Sequence, residues 1–76
     1  MKLSYDPKYN IAYLRFHGKR GPVTTLKISE EMNIDIAPDG SVYGIEILNA
    51  NEQLVEDQGK LVVEWAGQYR EIMLSA

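Results

Sequence analysis

His17 is the only histidine in this 76-residue chain, so acid–base chemistry would begin there. A lone histidine works as a general base when a carboxylate orients it. None stands beside it in sequence; its near neighbours are Lys19 and Arg20. The plainer reading is an exposed histidine at a strand end. Metal binding has less behind it, because no second histidine and no cysteine exist to fill a coordination shell. No cofactor is implied.

Asp6, Asp35, Asp39 and Glu46 are the acids on or beside predicted strands. Glycosidase-like hydrolysis would need a converging pair of carboxylates. Asp6 and Asp39 sit in turn sequences that account for them. Asp35 points outward, where pairing across strands with Arg15 or Lys27 accounts for it. Glu46 is the one charge in the most apolar strand, and if buried it needs a partner. Arg15 is the expected one, which makes a structural ion pair the plainer reading. The serines form no Ser-His-Asp arrangement. The glycines are scattered, and none builds a phosphate-cradling loop with a following Lys-Ser/Thr. What remains is a patch of Tyr13, Arg15, His17 and Glu46, suited to contact or ligand binding rather than catalysis. Tyr and Trp dominate interface hot spots. Tyr5, Tyr9, Tyr13, Tyr43, Trp65 and Tyr69 are numerous for this length.

The elements that must position this patch read as strands. Lys2–Tyr5 is a short first strand, closed by the turn Asp6-Pro7-Lys8-Tyr9-Asn10, in which Asn tolerates positive φ. Ile11–His17 is the second, rich in β-branched and aromatic residues. Alternation puts Ala12, Leu14 and Phe16 on a core face, and Ile11, Tyr13, Arg15 and His17 on an outer face. Gly18-Lys19-Arg20-Gly21-Pro22 breaks the chain. Val23–Ser29 is the third strand. Met32–Ile36 is the fourth, with Met32, Ile34 and Ile36 inward. Pro38-Asp39-Gly40-Ser41 suits a type I turn followed by a residue of positive φ. Val42–Leu48 is the fifth strand. Tyr43, Ile45 and Ile47 share one face; Val42, Gly44, Glu46 and Leu48 share the other. Apolar residues on both faces predict a central or doubly covered strand. Gly44 marks a bulge or a close approach by another backbone.

Beyond Asn49 and Asn51, either of which suits a helix cap, the pattern changes. Leu54, Val55, Leu61, Val62, Trp65, Ala66, Tyr69, Ile72 and Met73 recur at three- and four-residue steps, the helical period. Glu56, Asp57, Lys60, Glu64, Gln68 and Glu71 lie opposite. This predicts a C-terminal helical segment over 51–74. The alternative is a β-hairpin over 61–74. Gly67, the Val62-Val63 pair and the aromatics favour it, and Gly59 and Gly67 each cost a helix about 1 kcal/mol relative to alanine.

The length predicts one domain, residues 1–76, whose core is small for want of volume. Without cysteines to staple it, such a chain needs regular packing or self-association. The hydrophobic fraction is 45% and the charged fraction 25%, the range of a globular chain. The formal charge is −3. Lys19-Arg20 is the only dense basic cluster and reads as a solvated loop tip, so neither nucleic acid nor an anionic membrane is an expected partner. The lack of cysteine fits a reducing cytoplasm. The polar start, Met1-Lys2-Leu3-Ser4-Tyr5, does not read as a signal peptide, and no apolar run approaches the ~20 residues of a membrane span.

Two motifs accumulate along the chain. One is Tyr5-Asp6-Pro7 followed by Ile11-Ala12-Tyr13-Leu14-Arg15. The other is Ile34-Asp35-Ile36, Asp39-Gly40 and Gly44-Ile45-Glu46-Ile47-Leu48-Asn49-Ala50. In order and spacing they resemble the small prokaryotic family called domain of unknown function 2283, over about residues 2–51. Asn10 stands where that family often carries Asp, and Asn51 where Ser is common. The resemblance implies no activity and no catalytic residues. It implies a partner-binding, antitoxin-like role, through members encoded beside small toxin-like proteins.

The expected fold is therefore α+β: an antiparallel β-meander of about five strands over 2–48, packed against the C-terminal helical segment. The expected function is a non-enzymatic protein-interaction module, antitoxin-like under the resemblance. Its partner is another protein or a second copy in a homodimer. The alternative is a small ligand-binding domain or enzyme with a site around Tyr13, Arg15, His17 and Glu46.

Overall fold

The computed structural model describes residues 1–19, 21–55 and 59–74. Arg20 of the basic turn and residues 56–58 of the expected helix lie outside the described residues. The elements in chain order are β1 (Lys2–Asp6), β2 (Ile11–Arg15), β3 (Thr24–Ser29), β4 (Met32–Ile36), β5 (Val42–Leu48), α1 (Ala50–Gln53), β6 (Lys60–Trp65) and β7 (Gln68–Met73). The described residues are mostly antiparallel β-sheet, with the short helix α1.

Strands β1 to β5 form one antiparallel sheet in the order β1-β2-β5-β4-β3. This corrects the expected meander. The strand that is apolar on both faces, β5, takes the centre and pairs with β2 as well as β4. The chain from Phe16 to Val23 therefore passes from β2 to the far edge, where β3 pairs only with β4. The Phe16 amide donates to the Tyr43 carbonyl at 2.9 Å and carries the β2–β5 ladder past Arg15. Between β4 and β5 the turn is as its sequence asks: Gly40 has φ +89°, and its amide donates to the Ala37 carbonyl at 2.9 Å.

Register sorts the sheet into rows. On one face Leu3, Leu14, Ile45, Ile34 and Leu26 stand side by side, one residue from each strand. The neighbouring row on that face holds Tyr5, Ala12, Ile47 and Met32. Ala12, Ile47 and Ala50 are buried, with Tyr5, Ile45 and Leu54 packed around them. This core is confined to the end of the sheet where α1 lies. No residue of the Leu3-to-Leu26 row is buried, and no large side chain among the described residues is fully enclosed.

Asn10 ties that end together. It sits in the left-handed region at φ +56°, which the turn reading allowed for an asparagine. Its Oδ1 accepts from the Tyr5 hydroxyl at 3.2 Å and from the Asn51 amide at 2.9 Å. Its Nδ2 donates to Asn51 Oδ1 at 2.6 Å and to Asn49 Oδ1 at 3.2 Å. Asn49 holds the N-cap position of α1 at φ +52° but makes no side-chain cap bond. The orphan amide is satisfied instead by Asn10, about forty residues back in sequence.

The C-terminal segment is the second correction. Among the described residues α-helix forms only at Ala50–Gln53, and Lys60–Met73 is an antiparallel hairpin. Ala66 and Gly67, both at positive φ (51° and 77°), make its two-residue loop between Trp65 and Gln68. Positive φ at both central positions is the hairpin turn whose twist matches that of the strands. A third break, Gly59 at φ +73°, precedes β6, and its carbonyl accepts from the Leu74 amide at 3.1 Å. The Val62-Val63 pair, stiff at χ1, fits a strand better than a helix. Among the described residues no helix is long and apolar enough to cross a membrane.

Candidate functional site

The opposite face of the sheet is polar, and its rows carry the residues singled out from sequence. Ser4, Tyr13, Glu46, Asn33 and Lys27 form one row. Lys2, Arg15, Gly44, Asp35 and Thr25 form the next. Tyr13 does not stay in its row. Its ring leans diagonally over Gly44 and its hydroxyl donates to Asp35 Oδ2 at 2.6 Å. Asp35 Oδ1 accepts from the Thr25 hydroxyl at 2.5 Å. One carboxylate thus joins β2, β3 and β4 across the central strand.

The β4–β5 ladder slips between Asp35 and Ile36, so that Asp35 pairs with Gly44 and Ile36 with Val42. Tyr43 is the extra residue of this bulge. A bulge re-aims side chains, and Tyr43 joins Tyr13 (ring centroids 6.3 Å) and His17 (5.8 Å) instead of Ile45 and Ile47. The face expected for Tyr43 is thereby corrected. Gly44 does mark a bulge, and what approaches it closely is the Tyr13 ring rather than a backbone.

The four patch residues are placed as follows. Tyr13 and Glu46 are cross-strand neighbours. His17 reaches the same group through Tyr43. Arg15 lies opposite Gly44 and is exposed. The expected Arg15–Glu46 ion pair does not form; Glu46 Oε1 accepts from Asn33 Nδ2 at 2.8 Å. Asp35, read as a partner for Arg15 or Lys27, is held by hydroxyls instead. Lys27 turns to Glu30 at 3.1 Å. Burial, and after it the hydrogen bond to Asp35, push the Tyr13 phenol well above the ordinary tyrosine range. It is a poor acid, held protonated as a donor.

His17, Ser41 and Asp39 do meet, but in an order that serves a turn. Ser41 Oγ donates to Asp39 Oδ1 at 2.6 Å, and His17 Nε2 stands 3.3 Å from the same Oγ. In a nucleophilic triad the histidine bridges the hydroxyl and the acid. Here the hydroxyl is in the middle and its proton is committed to the carboxylate. The Ser41 amide also donates to Asp39 Oδ1, at 3.0 Å, the local bonding of an Asx turn. Among the described residues no three His, Asp or Glu side chains converge in a way that would hold a metal ion.

Thr25 and Asn33 were not picked out from sequence, and Tyr43 was noted only among the aromatics and on the face of Ile45 and Ile47. Only the Gly44 signal pointed toward them, by announcing a bulge without saying which side chain it would turn. A cavity of about 390 Å³ lies elsewhere, on the β6–β7 hairpin, lined by Val63, Trp65, Gln68, Tyr69 and Arg70.

A family model described as a protein of unknown function, DUF2283, matches residues 2–51. The match takes in the whole five-stranded sheet and the Asn10–Asn51 clasp, and stops short of the hairpin. No curated protein and no solved structure matches the chain. The family model covers more than half of the 76 residues, and the chain belongs to the DUF2283 family.

Proposed function

We propose that this DUF2283 member is a non-enzymatic interaction module of the cytoplasm, which completes its hydrophobic core against another protein surface. One observation carries the reading. The accessible surface is 5608 Å². Scaling of folded monomers gives about 4,700 Å² for this mass, so roughly 900 Å² more is exposed than a self-sufficient fold of this size leaves open. Much of the exposed surface is apolar: Leu26 is 48% exposed and Trp65 78%. Exposed apolar side chains clustered on a surface mark an interaction site. The polar face supports the same reading, since the Tyr13 and Thr25 hydroxyls and the Asp35 carboxylate are spent on one another.

Affinity capture from the native host, with light scattering on the purified chain, tests it. The wild type is expected in an assembly, with a second copy or with a captured protein, and Leu26→Glu is expected to lose it. Lys27→Glu, on the polar face, is the control and keeps it. A strict monomer that captures nothing ends the reading. The antitoxin role implied by the resemblance is the case in which the covering surface belongs to a toxin. There, co-expression of a neighbouring toxin-like protein arrests growth, wild type relieves the arrest, and Leu26→Glu does not.

A further inference from the structure

Two separate apolar surfaces are left open on one chain. The first is the sheet row that ends in Leu3 and Leu26, at 39% and 48% exposed, with Phe16 (39%) on the same side. The second is one face of the hairpin. Register places Leu61, Val63, Trp65 and Ile72 together there, with Arg70 and Gln68 between them. Val63, Trp65 and Ile72 are 48%, 78% and 48% exposed. The other hairpin face mixes Val62, Tyr69 and Met73 with Glu64 and the Lys60–Glu71 ion pair at 3.1 Å. On the first face Leu61 is half-buried, and Val63, Trp65 and Ile72 stand exposed. A two-stranded hairpin without cover is marginal in water.

We propose that the occupant of both surfaces is a second copy of this chain, in a two-fold dimer where each hairpin lies on the partner copy's open sheet face. The inference rests on the interaction-module reading and names the partner. Stacking sheet on sheet would leave Trp65, Val63 and Ile72 bare. Stacking hairpin on hairpin would leave the Leu3-to-Leu26 row bare. Hairpin on sheet covers both, and reciprocal placement is the self-complementary contact that two-fold symmetry requires. The dimensions agree. A row across five strands spans about 19 Å and a six-residue strand about 20 Å. The surplus surface of roughly 900 Å² is close to the ~800 Å² that each partner contributes to a standard interface. One cross-strand row and one hairpin face are enough to supply it.

The sole tryptophan reads the contact without any substitution. Light scattering is expected to give twice the 8.6 kDa chain mass at tens of micromolar. On dilution through the dimer dissociation constant, Trp65 emission should shift to the red as the indole meets water. Because the chain has no cysteine, Val63→Cys and Leu26→Cys chains can be mixed under mild oxidation. The expected product is the mixed 63–26 disulfide, in preference to 63–63 or 26–26. A dimer giving only 26–26 links is sheet on sheet and overturns the proposal; one giving only 63–63 links does the same. A monomer at every concentration also overturns it. If that monomer captures a different protein through Leu26, the interaction reading stands and only the second copy is wrong. Trp65→Ser and Leu26→Glu should each lower the dimer fraction at least tenfold while the far-ultraviolet β-signature is kept.

Discussion

The Tyr13 ring lies across Gly44, so close that a Cβ at residue 44 would stand 2.5 Å from both its Cε1 and its hydroxyl oxygen. Gly44 is thus the condition for the Tyr13–Asp35 hydrogen bond. Gly44→Ala must displace the ring, and overpacking of this kind costs about 1–3 kcal/mol. With the ring removed the sign should change. In a Tyr13→Ala background, Gly44→Ala restricts the unfolded chain without a clash and should stabilise by about 0.5–1 kcal/mol. Urea denaturation of the four proteins in this cycle measures the coupling. Equal effects of Gly44→Ala in both backgrounds would show that the ring does not occupy that space.

The same ring gives the protein an alkaline limit. Burial and the hydrogen bond to Asp35 raise the Tyr13 pKa above its ordinary value of 10.0. A phenol whose folded-state pKa is raised holds its proton harder when folded. Its contribution is fully present below about pH 10 and is lost as pH rises through the folded pKa. The urea midpoint should therefore fall with pH above about 10, and the fall should be shallower in Tyr13→Phe. At neutral pH Tyr13→Phe should cost about 1 kcal/mol, the net worth of one hydrogen bond. Identical alkaline slopes in the two proteins would remove Tyr13 as their source.

These groups show how far the sequence could be read. The Pro38-Asp39-Gly40 turn, the positive φ of Asn10 and a special role for Gly44 were legible, because each depends on a few adjacent residues. The β2–β5 pairing was not, because nothing local tells Ala12 and Leu14 that Ile47 and Ile45 are their neighbours. The bulge was legible as an event but not in its consequence, the turning of Tyr43 onto Tyr13 and His17. The Arg15–Glu46 pair failed on register: Arg15 falls opposite Gly44, one pleat away. The helical period from Leu61 to Met73 was misleading for a simple reason. Apolar residues occupy both faces of the hairpin, and a strand with both faces apolar meets a three- or four-residue step as easily as a helix does. Ala66 and Gly67 carried the deciding information.

Asn10 does two things that substitution can separate. Its side chain closes four hydrogen bonds to Tyr5, Asn49 and Asn51, and its backbone sits at positive φ. Asn10→Gly keeps the backbone and loses the bonds. It should cost about 2 kcal/mol, since part-buried bonds are worth ~0.5–1.5 kcal/mol each and are not additive. Asn10→Ala loses the bonds and adds the left-handed penalty of about 1 kcal/mol. Thermal and urea melts should rank the proteins wild type, then Gly, then Ala. A Gly variant as stable as wild type would mean that α1 needs no clasp.

Ala66 offers a test in which helix and hairpin predict opposite signs. It stands at φ +51° in the two-residue loop with Gly67 at +77°. An alanine in the left-handed region costs about 1 kcal/mol or more, whereas asparagine is favoured there and Asn-Gly is a preferred sequence for this turn. Ala66→Asn should therefore stabilise the protein, by about 0.5–1 kcal/mol once the context dependence of such gains is allowed for. In a helix over 51–74 the same change would remove the best helix former from mid-helix and destabilise by about 0.6 kcal/mol. Melting temperature decides the sign, and hydrogen exchange at Val63 and Arg70 reports the hairpin directly, because these residues are register partners. A raised melting temperature with slower exchange at both positions is the expected result. A lowered one would return the segment to a helix and leave the Trp65 face without the flat presentation it needs to lie on a sheet.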